Sequence, residues 1–130
     1  MRYLLDINAL IALAHSAHSL HARASAWSFG LPVTEVFLTT PITELGFCRV
    51  SVNMGMQPDV DAARRALRKL KTSPGHVFEF LPDALGAGVM PAYVKTPAAL
   101  TDGHLLELAR ANNATLATLD SRIPGATLLP

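Results

Sequence analysis

Short apolar strands alternate with longer helical stretches along this chain, and that alternation restricts the possible folds more than any other feature. The segments YLLDI, VFLTT and ATLATLD are short and apolar or β-branched, which is typical of buried strands. Helical patterns lie between them, including PDVDAARRALRKLK, whose predicted apolar face is Val60, Ala63, Leu67 and Leu70. The alternation predicts an α/β fold with a mainly parallel central sheet of about four to five strands.

Local signals predict several element boundaries. Thr40-Pro41 is typical of a helix N-terminus, and we expect Thr101 or Asp102 to start a later helix that ends at Asn112-Asn113. The segment HVFEFL is a possible short strand, and ATLL near the C-terminus is another. Residues 82–97 are rich in Pro and Gly and are predicted to be irregular.

The composition indicates a single domain that spans residues 1–130. A net charge of +1 gives no global signature of nucleic-acid binding. Because 50% of the residues are hydrophobic and only 16% are charged, we expect apolar surface that a second copy or a partner protein covers, although composition drift alone would give the same figures. The lone Cys48 favours a reducing, cytoplasmic setting, and no apolar run reaches the roughly 18 residues of a membrane span.

One carboxylate interrupts the N-terminal apolar run RYLLDINALIALA. Asp6 directly follows Leu4 and Leu5, as the last part of a predicted buried strand. Burying an unpaired carboxylate costs several kcal/mol even after relaxation and water entry. We therefore expect Asp6 to have a compensating partner in the folded protein.

Three further acids are predicted to lie at the same edge of the sheet as Asp6. Asp120 ends the strand ATLATLD, and Glu44 and Asp102 fall in the first turns of predicted helices. In parallel sheets this is the edge at which ligands bind. Each acid also has a purely structural explanation, because helix dipoles and caps favour Glu44 and Asp102, and turns favour Asp120.

Helix periodicity favours the functional interpretation of two of these acids. Asp102 lies on the stripe of Leu105 and Leu106, and Glu44 shares its side with Phe47, so both acids lean toward the core. Converging carboxylates repel one another strongly in a low dielectric. A divalent cation with a preference for hard oxygen ligands, Mg²⁺ or Mn²⁺, would relieve that repulsion, so we expect a metal ion to be the partner.

The motifs that carry the acids resemble the four acidic motifs of PIN-domain ribonucleases. They are LLDINALIAL with Asp6, TPITELGF with Glu44, LTDGHLLELA with Asp102 and LATLD with Asp120. The resemblance covers nearly the whole chain and is closest to the VapC toxins of bacterial toxin–antitoxin pairs, since HARASAW, ELGFCRVS and SPGHVFEFLPD are typical of one VapC subgroup. Gly103 departs from the pattern, because similar proteins often carry alanine there.

The resemblance implies a PIN-like three-layer α/β/α domain and Mg²⁺-dependent endonucleolytic cleavage of RNA, with structured tRNA or ribosomal RNA as substrate. It also implies a toxin that forms a homodimer and is silenced by a cognate VapB-type antitoxin. By similarity, one or two ions, Mg²⁺ or Mn²⁺, would activate water for attack on a phosphodiester. The residues that would hold them are Asp6, Glu44, Asp102 and Asp120.

Several other residues are weaker candidates. Asn8 and Thr118 match positions that support the metal or its waters in similar proteins, although ordinary turn or strand roles explain them equally well. Arg49 lies one turn beyond Glu44 and is a candidate for phosphate contact. His104 is a candidate for substrate contact, with a packed or capping role as the alternative. The basic helix 60–71 could hold an RNA backbone, but a solvated face explains its charges better.

Two other functions are compatible with parts of the pattern. A non-catalytic PIN-like module would bind RNA or protein as a scaffold, and the presence of all four acids speaks against it. An acid-cluster phosphatase or phosphoacceptor domain usually carries D-x-D or D-D after its first strand. This chain has D-I-N there, which disfavours that function.

Overall fold

A computed structural model describes residues 1–130 and shows one five-stranded sheet in which every strand pair is parallel. The strand order is β3-β2-β1-β4-β5. The strands are β1 (Arg2–Leu5), β2 (Val36–Thr39), β3 (Phe78–Phe80), β4 (Thr115–Thr118) and β5 (Thr127–Leu128). The predicted parallel α/β architecture is therefore confirmed, and the short strands predicted in HVFEFL and ATLL are both present.

Helices connect the strands and cover the sheet. They are α1 (Ile7–Ala14), α2 (His21–Gly30), α3 (Pro41–Asn53), α4 (Val60–Thr72) and α5 (Leu100–Ala111), with a 3₁₀ turn at Pro97–Ala99. Residues 82–96 form neither a helix nor a strand, as their Pro and Gly content predicted. None of the helices has both the length and the apolarity needed to cross a membrane.

The two faces of the sheet carry separate apolar layers. Leu5 and Ala117 lie on the face that α1, α2, α3 and α4 cover. Leu4 pairs in register with Leu38 and Leu116 on the neighbouring strands, and these three leucines pack against α5 on the opposite face. Successive residues of a strand point to opposite sides, so each central strand contributes to both layers. This arrangement confirms the three-layer α/β/α fold.

The start of α3 agrees with the sequence prediction. Thr40 is the N-cap, and its Oγ1 accepts a hydrogen bond from the Thr43 backbone N–H at 3.2 Å. The Thr43 hydroxyl returns the interaction by accepting from the Thr40 N–H at 2.8 Å. Pro41 occupies the first helical position, where its missing N–H costs nothing. These local contacts determine where the chain turns from β2 into α3.

The prediction for the start of α5 was wrong. The helix begins at Leu100, and neither Thr101 nor Asp102 is its N-cap. The 3₁₀ turn Pro97–Ala99 runs directly into the helix, with Ala99 already in a helical conformation and without a side-chain cap. Because the turn supplies the entry to the helix, Asp102 is not needed as a cap. The helix ends at Ala111 with Asn112 as its C-cap, and Asn113 adopts a positive φ of 53°, as the Asn-Asn signal predicted.

One residue of the predicted apolar face of α4 was also assigned wrongly. Ala63 and Leu67 are buried and Leu70 packs at the edge of the core, but Val60 is 58% exposed. Val60 is the first residue of the helix, and it lies on the wall of a groove between α3 and α4 rather than in the core.

Candidate active site

The acids singled out from the sequence lie at the carboxyl end of the parallel sheet. Asp6 directly follows β1, and Asp120 lies just beyond the end of β4. Glu44 and Asp102 occupy the first turns of α3 and α5. Strands β2, β1 and β4 are neighbours, so the chain segments that leave their carboxyl ends meet at one edge.

Asp6 is buried and is held by hydrogen bonds. Only 5% of its surface is exposed. As the N-cap of α1, it accepts a bond from the Ile7 backbone N–H at Oδ1 (2.8 Å), and its Oδ2 accepts from the Thr118 hydroxyl at 2.7 Å. Burial raises the pKa of Asp6, whereas these two hydrogen bonds act in the opposite direction. The expected compensation therefore comes in part from neutral donors, which the sequence did not reveal.

Thr118 and Asn8 join α1 to the end of β4. The Thr118 Oγ1 accepts bonds from the Asp120 backbone N–H at 3.0 Å and from the Asn8 amide at 3.2 Å. The Asn8 Oδ1 accepts from the Leu119 backbone N–H at 3.0 Å. Both predicted supporting residues thus lie beside Asp6, and Thr118 links its carboxylate to the chain that carries Asp120.

Asp102 and Asp120 lie near Asp6 in very different surroundings. Asp102 makes no side-chain hydrogen bond, and burial, followed by repulsion from Asp6 and Asp120, raises its pKa to about 6. Asp120 accepts two bonds from the Arg122 guanidinium, each of 2.9 Å, and one from the Arg122 backbone N–H. These bonds lower the pKa of Asp120. The turn-like geometry that the sequence allowed for Asp120 is therefore present alongside its place in the acid cluster.

The Glu44 carboxylate is hydrogen-bonded to residues of β2 and α4. Its Oε2 accepts bonds from the Thr39 hydroxyl and from the Lys71 ammonium, each at 2.6 Å. Glu44 is not among the charges that shift the pKa values of Asp6, Asp102 or Asp120. The structure thus brings three of the four predicted acids into mutual electrostatic contact and ties the fourth to α4.

The donor chemistry of this cluster suits a divalent cation. No group of three or more His, Cys, Asp or Glu residues is arranged to hold an ion with the side chains as they stand. The carboxylates are hard oxygen donors of the kind that Mg²⁺ prefers, and the mutual repulsion that raises the pKa of Asp102 is the interaction that a cation would offset. We define the acid cluster as Asp6, Asp102 and Asp120.

The two predicted substrate contacts have different surroundings. Arg49 is exposed on α3, one turn after Gly46. His104 is buried, and its Nε2 lies 2.5 Å from the Asp83 carboxylate, so it packs inside the protein as the structural alternative held. A buried ring that is already paired is not available to RNA, and we propose no substrate contact for His104.

Sequence reasoning missed the residues that restrain the acids. Lys71 holds Glu44 from a different helix, and Arg122 holds Asp120 from within a turn. The spacing of Asp120 and Arg122 offered a local signal for their pairing. The pairing of Glu44 with Lys71 offered none, because it depends on how α3 and α4 pack together.

Proteins named ribonucleases are similar in sequence to this chain over most of its length. Ribonuclease VapC38 of Mycobacterium tuberculosis is 40% identical over 123 residues, which are 92% of this chain and 86% of that protein. Ribonuclease VapC29 of the same species is 38% identical over 122 residues, which are 93% of this chain and 87% of that protein. The chain belongs to the VapC ribonuclease family. No protein-family model matches it.

Solved VapC structures share the fold of this VapC-family chain. VapC20 of Mycobacterium tuberculosis, a toxin that cleaves the sarcin–ricin loop, superimposes with a TM-score of 0.65 at 11% identity over 98% of this chain and 99% of its own. VapBC2 from Rickettsia felis, bound to a fragment of promoter DNA, gives a TM-score of 0.61 at 15% identity over 98% and 97%. Together with the layer architecture, these likenesses confirm the predicted PIN-like domain.

Proposed function

We propose that this VapC-family chain is the toxin of a toxin–antitoxin pair and acts as a Mg²⁺-dependent endoribonuclease. The observation that carries the proposal is the acid cluster, in which three aspartates interact at the carboxyl edge of a parallel sheet. Its family relatives are named ribonucleases. The reaction is hydrolysis of an RNA phosphodiester bond by water.

Asp6, Asp102 and Asp120 would hold the ion, with Glu44 as a fourth ligand. A bound Mg²⁺, or Mn²⁺ in its place, would lower the pKa of a water molecule and neutralise charge on the phosphate. In this structure the Glu44 Oε2 lies 2.6 Å from the Lys71 Nζ. Glu44 therefore joins the cluster only if its carboxylate leaves Lys71 and binds the ion instead.

The remaining residues of the site orient these ligands. Thr118 and Asn8 hold Asp6 and the end of β4 in register, as described above. Arg122 restrains Asp120 through a two-pronged interaction that keeps its carboxylate ionised. Hydrogen bonds of this kind around metal ligands are typically worth about 10- to 100-fold in metal affinity or activity.

For the substrate we propose structured RNA, either tRNA or ribosomal RNA. VapC20, which shares the fold, cleaves the sarcin–ricin loop. Arg49 is exposed on the helix that carries Glu44, and Arg64 and Arg68 of α4 line the groove to which Glu44 contributes, so positive charge is available for RNA. Such residues would contact phosphates and position the RNA without reading its sequence.

For the partner we propose a VapB-type antitoxin that occupies the groove between α3 and α4. This groove has a volume of about 470 Å³, and Glu44 contributes to its lining. Leu45 and Val60 on its walls are 68% and 58% exposed, and Arg64, Arg68 and Lys71 line it as well. Apolar walls with cations nearby fit an amphipathic acidic segment, which would cover both the apolar surface and one predicted metal ligand.

We also propose a homodimer. Phe29 and Val33, at the end of α2 and just beyond it, are 88% and 72% exposed and line an apolar groove together with Phe78 of β3. Exposed aromatic and branched residues of this kind are typical of protein interfaces. Sedimentation of the purified chain should therefore give a dimer, and Phe29→Ser should shift it toward the monomer.

The proposed activity is tested by incubating purified protein with total bacterial RNA in Mg²⁺, in EDTA, and with the Asp102→Ala variant. We expect discrete fragments in Mg²⁺ that disappear under the other two conditions. Sequencing of the fragment ends would then identify the RNA and the cleavage site.

Other outcomes would contradict this function. Intact RNA from folded, antitoxin-free protein, with both tRNA and ribosomal RNA present, would favour the non-catalytic binding module. Cleavage that persists in Asp102→Ala would show that a different site or a contaminating nuclease is responsible.

A further inference from the structure

The 82–96 segment, which connects β3 to the 3₁₀ turn before α5, is closely packed on the first turn of α5. A Cβ placed on Gly103 would lie 2.4 Å from Val94 Cγ2 and 2.9 Å from Met90 Sδ. Only glycine permits this approach without a shift of the segment. The buried pair of His104 and Asp83 adds a second contact between α5 and the segment. The segment is therefore held against the helix that carries Asp102.

Tyr93 lies in this segment, and its hydroxyl makes no hydrogen bond. Its ring packs against the apolar layer that contains Leu4 and Leu105. The hydroxyl oxygen is buried and has no hydrogen-bond partner anywhere in the protein. Most buried polar atoms have partners, because a donor removed from water without compensation destabilises the fold. The Tyr93 hydroxyl is thus a donor that the fold leaves unused.

The charges that act on the Tyr93 hydroxyl are the carboxylates of the acid cluster and, in the opposite direction, the Arg110 guanidinium. Burial raises the pKa of Tyr93, and the carboxylates of Asp102, Asp120 and Asp6 raise it further, with Asp102 the largest of the three. Asp102 is also the member of the cluster whose carboxylate makes no hydrogen bond. An unpartnered donor thus lies in the segment that packs on Gly103, the residue next to a carboxylate that has no donor.

We propose that Tyr93 is a positioning residue for Asp102, whose carboxylate accepts a hydrogen bond from the Tyr93 O–H when a divalent cation is bound. This inference rests on the proposed function, because it requires the acid cluster to hold the ion. The phenol stays neutral and contacts neither RNA nor water at the cleavage site. This bond would restrict the rotamers open to the Asp102 side chain and so hold its carboxylate for the ion. Gly103 contributes indirectly, since it allows the segment to carry Tyr93 to this position.

The test measures metal binding in the absence of RNA. Mn²⁺ is titrated into the full-length protein and free Mn²⁺ is followed by electron paramagnetic resonance, for the wild type, Tyr93→Phe and Tyr3→Phe. Tyr3 is a matched control, because it packs on the opposite face of the sheet and its substitution removes the same hydroxyl. We expect Tyr93→Phe to weaken the Mn²⁺ Kd by about 10- to 100-fold and Tyr3→Phe to leave it unchanged.

Thermal melting without metal separates positioning from simple packing. Tyr93→Phe keeps the ring and removes an unpartnered hydroxyl, so its Tm in EDTA should equal or exceed that of the wild type. Should Tyr93→Phe fail to fold, Gly103→Ala replaces it in the titration, since the added methyl group displaces the segment but keeps the hydroxyl. We expect a weakened Mn²⁺ Kd in that variant as well.

The possible failures are distinguishable. Wild-type Mn²⁺ affinity in Tyr93→Phe, with wild-type protein that binds Mn²⁺ and cleaves RNA, would overturn the role of Tyr93 alone. Wild-type protein that neither binds Mn²⁺ nor cleaves RNA would overturn the proposed function and the role of Tyr93 together.

Discussion

The two sides of the acid cluster differ in how their groups are held. On one side, Asp6, Asn8 and Thr118 are linked by hydrogen bonds that join α1 to the end of β4. On the other side, neither the carboxylate of Asp102 nor the hydroxyl of Tyr93, whose segment packs on the adjacent Gly103, has a hydrogen-bond partner. The first side is preorganised by the fold, and the second is held only by packing. A site built in this way keeps one ligand in place and leaves another free to respond to a cation.

The largest expected effect is on the preorganised side, with Asp6→Asn. Asparagine is a good N-cap, so the start of α1 and the fold should survive, while a charged metal ligand is lost. A metal ion contributes several kcal/mol to such reactions, which corresponds to a loss of cleavage of about 100- to 1,000-fold. The measurement is the rate of RNA cleavage in Mg²⁺, with circular dichroism to verify folding. Full activity in this variant would remove Asp6 from the metal site.

Thr118→Val tests whether preorganisation itself matters. The change keeps the shape of the side chain but removes the donor to Asp6 and the acceptor for the Asp120 N–H. We expect cleavage to fall by about 10- to 100-fold and the free energy of unfolding to fall by about 1–3 kcal/mol.

Thr115→Val, at the other end of β4, is the control for Thr118→Val, and its stability should change by no more than about 0.5 kcal/mol. Equal effects of the two substitutions in urea unfolding and cleavage assays would mean that the Thr118 network has no special role.

Asp102→Asn should stabilise the protein on the less constrained side. The pKa of Asp102 is about 6 in the folded protein against an ordinary value of 3.8, so the folded state binds the proton more tightly than the unfolded chain. Wild-type stability in EDTA should therefore be highest when the carboxyl is protonated and should fall as the pH rises through that interval. Above that pH interval, Asp102→Asn should raise the free energy of unfolding by about 1 kcal/mol, a value already reduced for partial exposure and solvent screening.

The measurement for Asp102→Asn is urea unfolding in EDTA at about pH 7.5 and about pH 4, with the exposed Asp61→Asn as control. Most of the gain should disappear at the lower pH, because the wild-type carboxyl is then protonated in the folded state and only partly ionised in the unfolded chain. A gain that is the same at both pH values would show that electrostatic repulsion is not its source.

The smallest expected effect lies outside the cluster, on α4. Lys69 is exposed and has no acidic partner, whereas Lys71 is paired with Glu44. If the helix contacts phosphate, Lys69→Ala should weaken RNA binding slightly and reduce the slope of log K against log salt by about 1. Binding is measured with the inactive Asp6→Asn background over a salt series. An unchanged slope would identify α4 as a solvated basic face.

Much of the fold follows from local patterns. The three apolar segments form neighbouring strands, Thr40 caps α3, and the Asn pair ends α5. Two local inferences were wrong, because a 3₁₀ turn replaces a side-chain cap at α5 and because Val60 lies at a helix end beyond the reach of the core. In both places the neighbouring structure, rather than the residue itself, determined the outcome.

The sequence by itself determined the order of strands and helices and placed each acid just after a strand or in a first helical turn, because periodicity and capping depend on residues close together in the chain. Only the tertiary structure decided which groups each acid meets. Asp6 is bonded to Thr118, and Glu44 is paired with Lys71. Such contacts join residues far apart in sequence and depend on the packing of whole elements, so no local pattern specifies them.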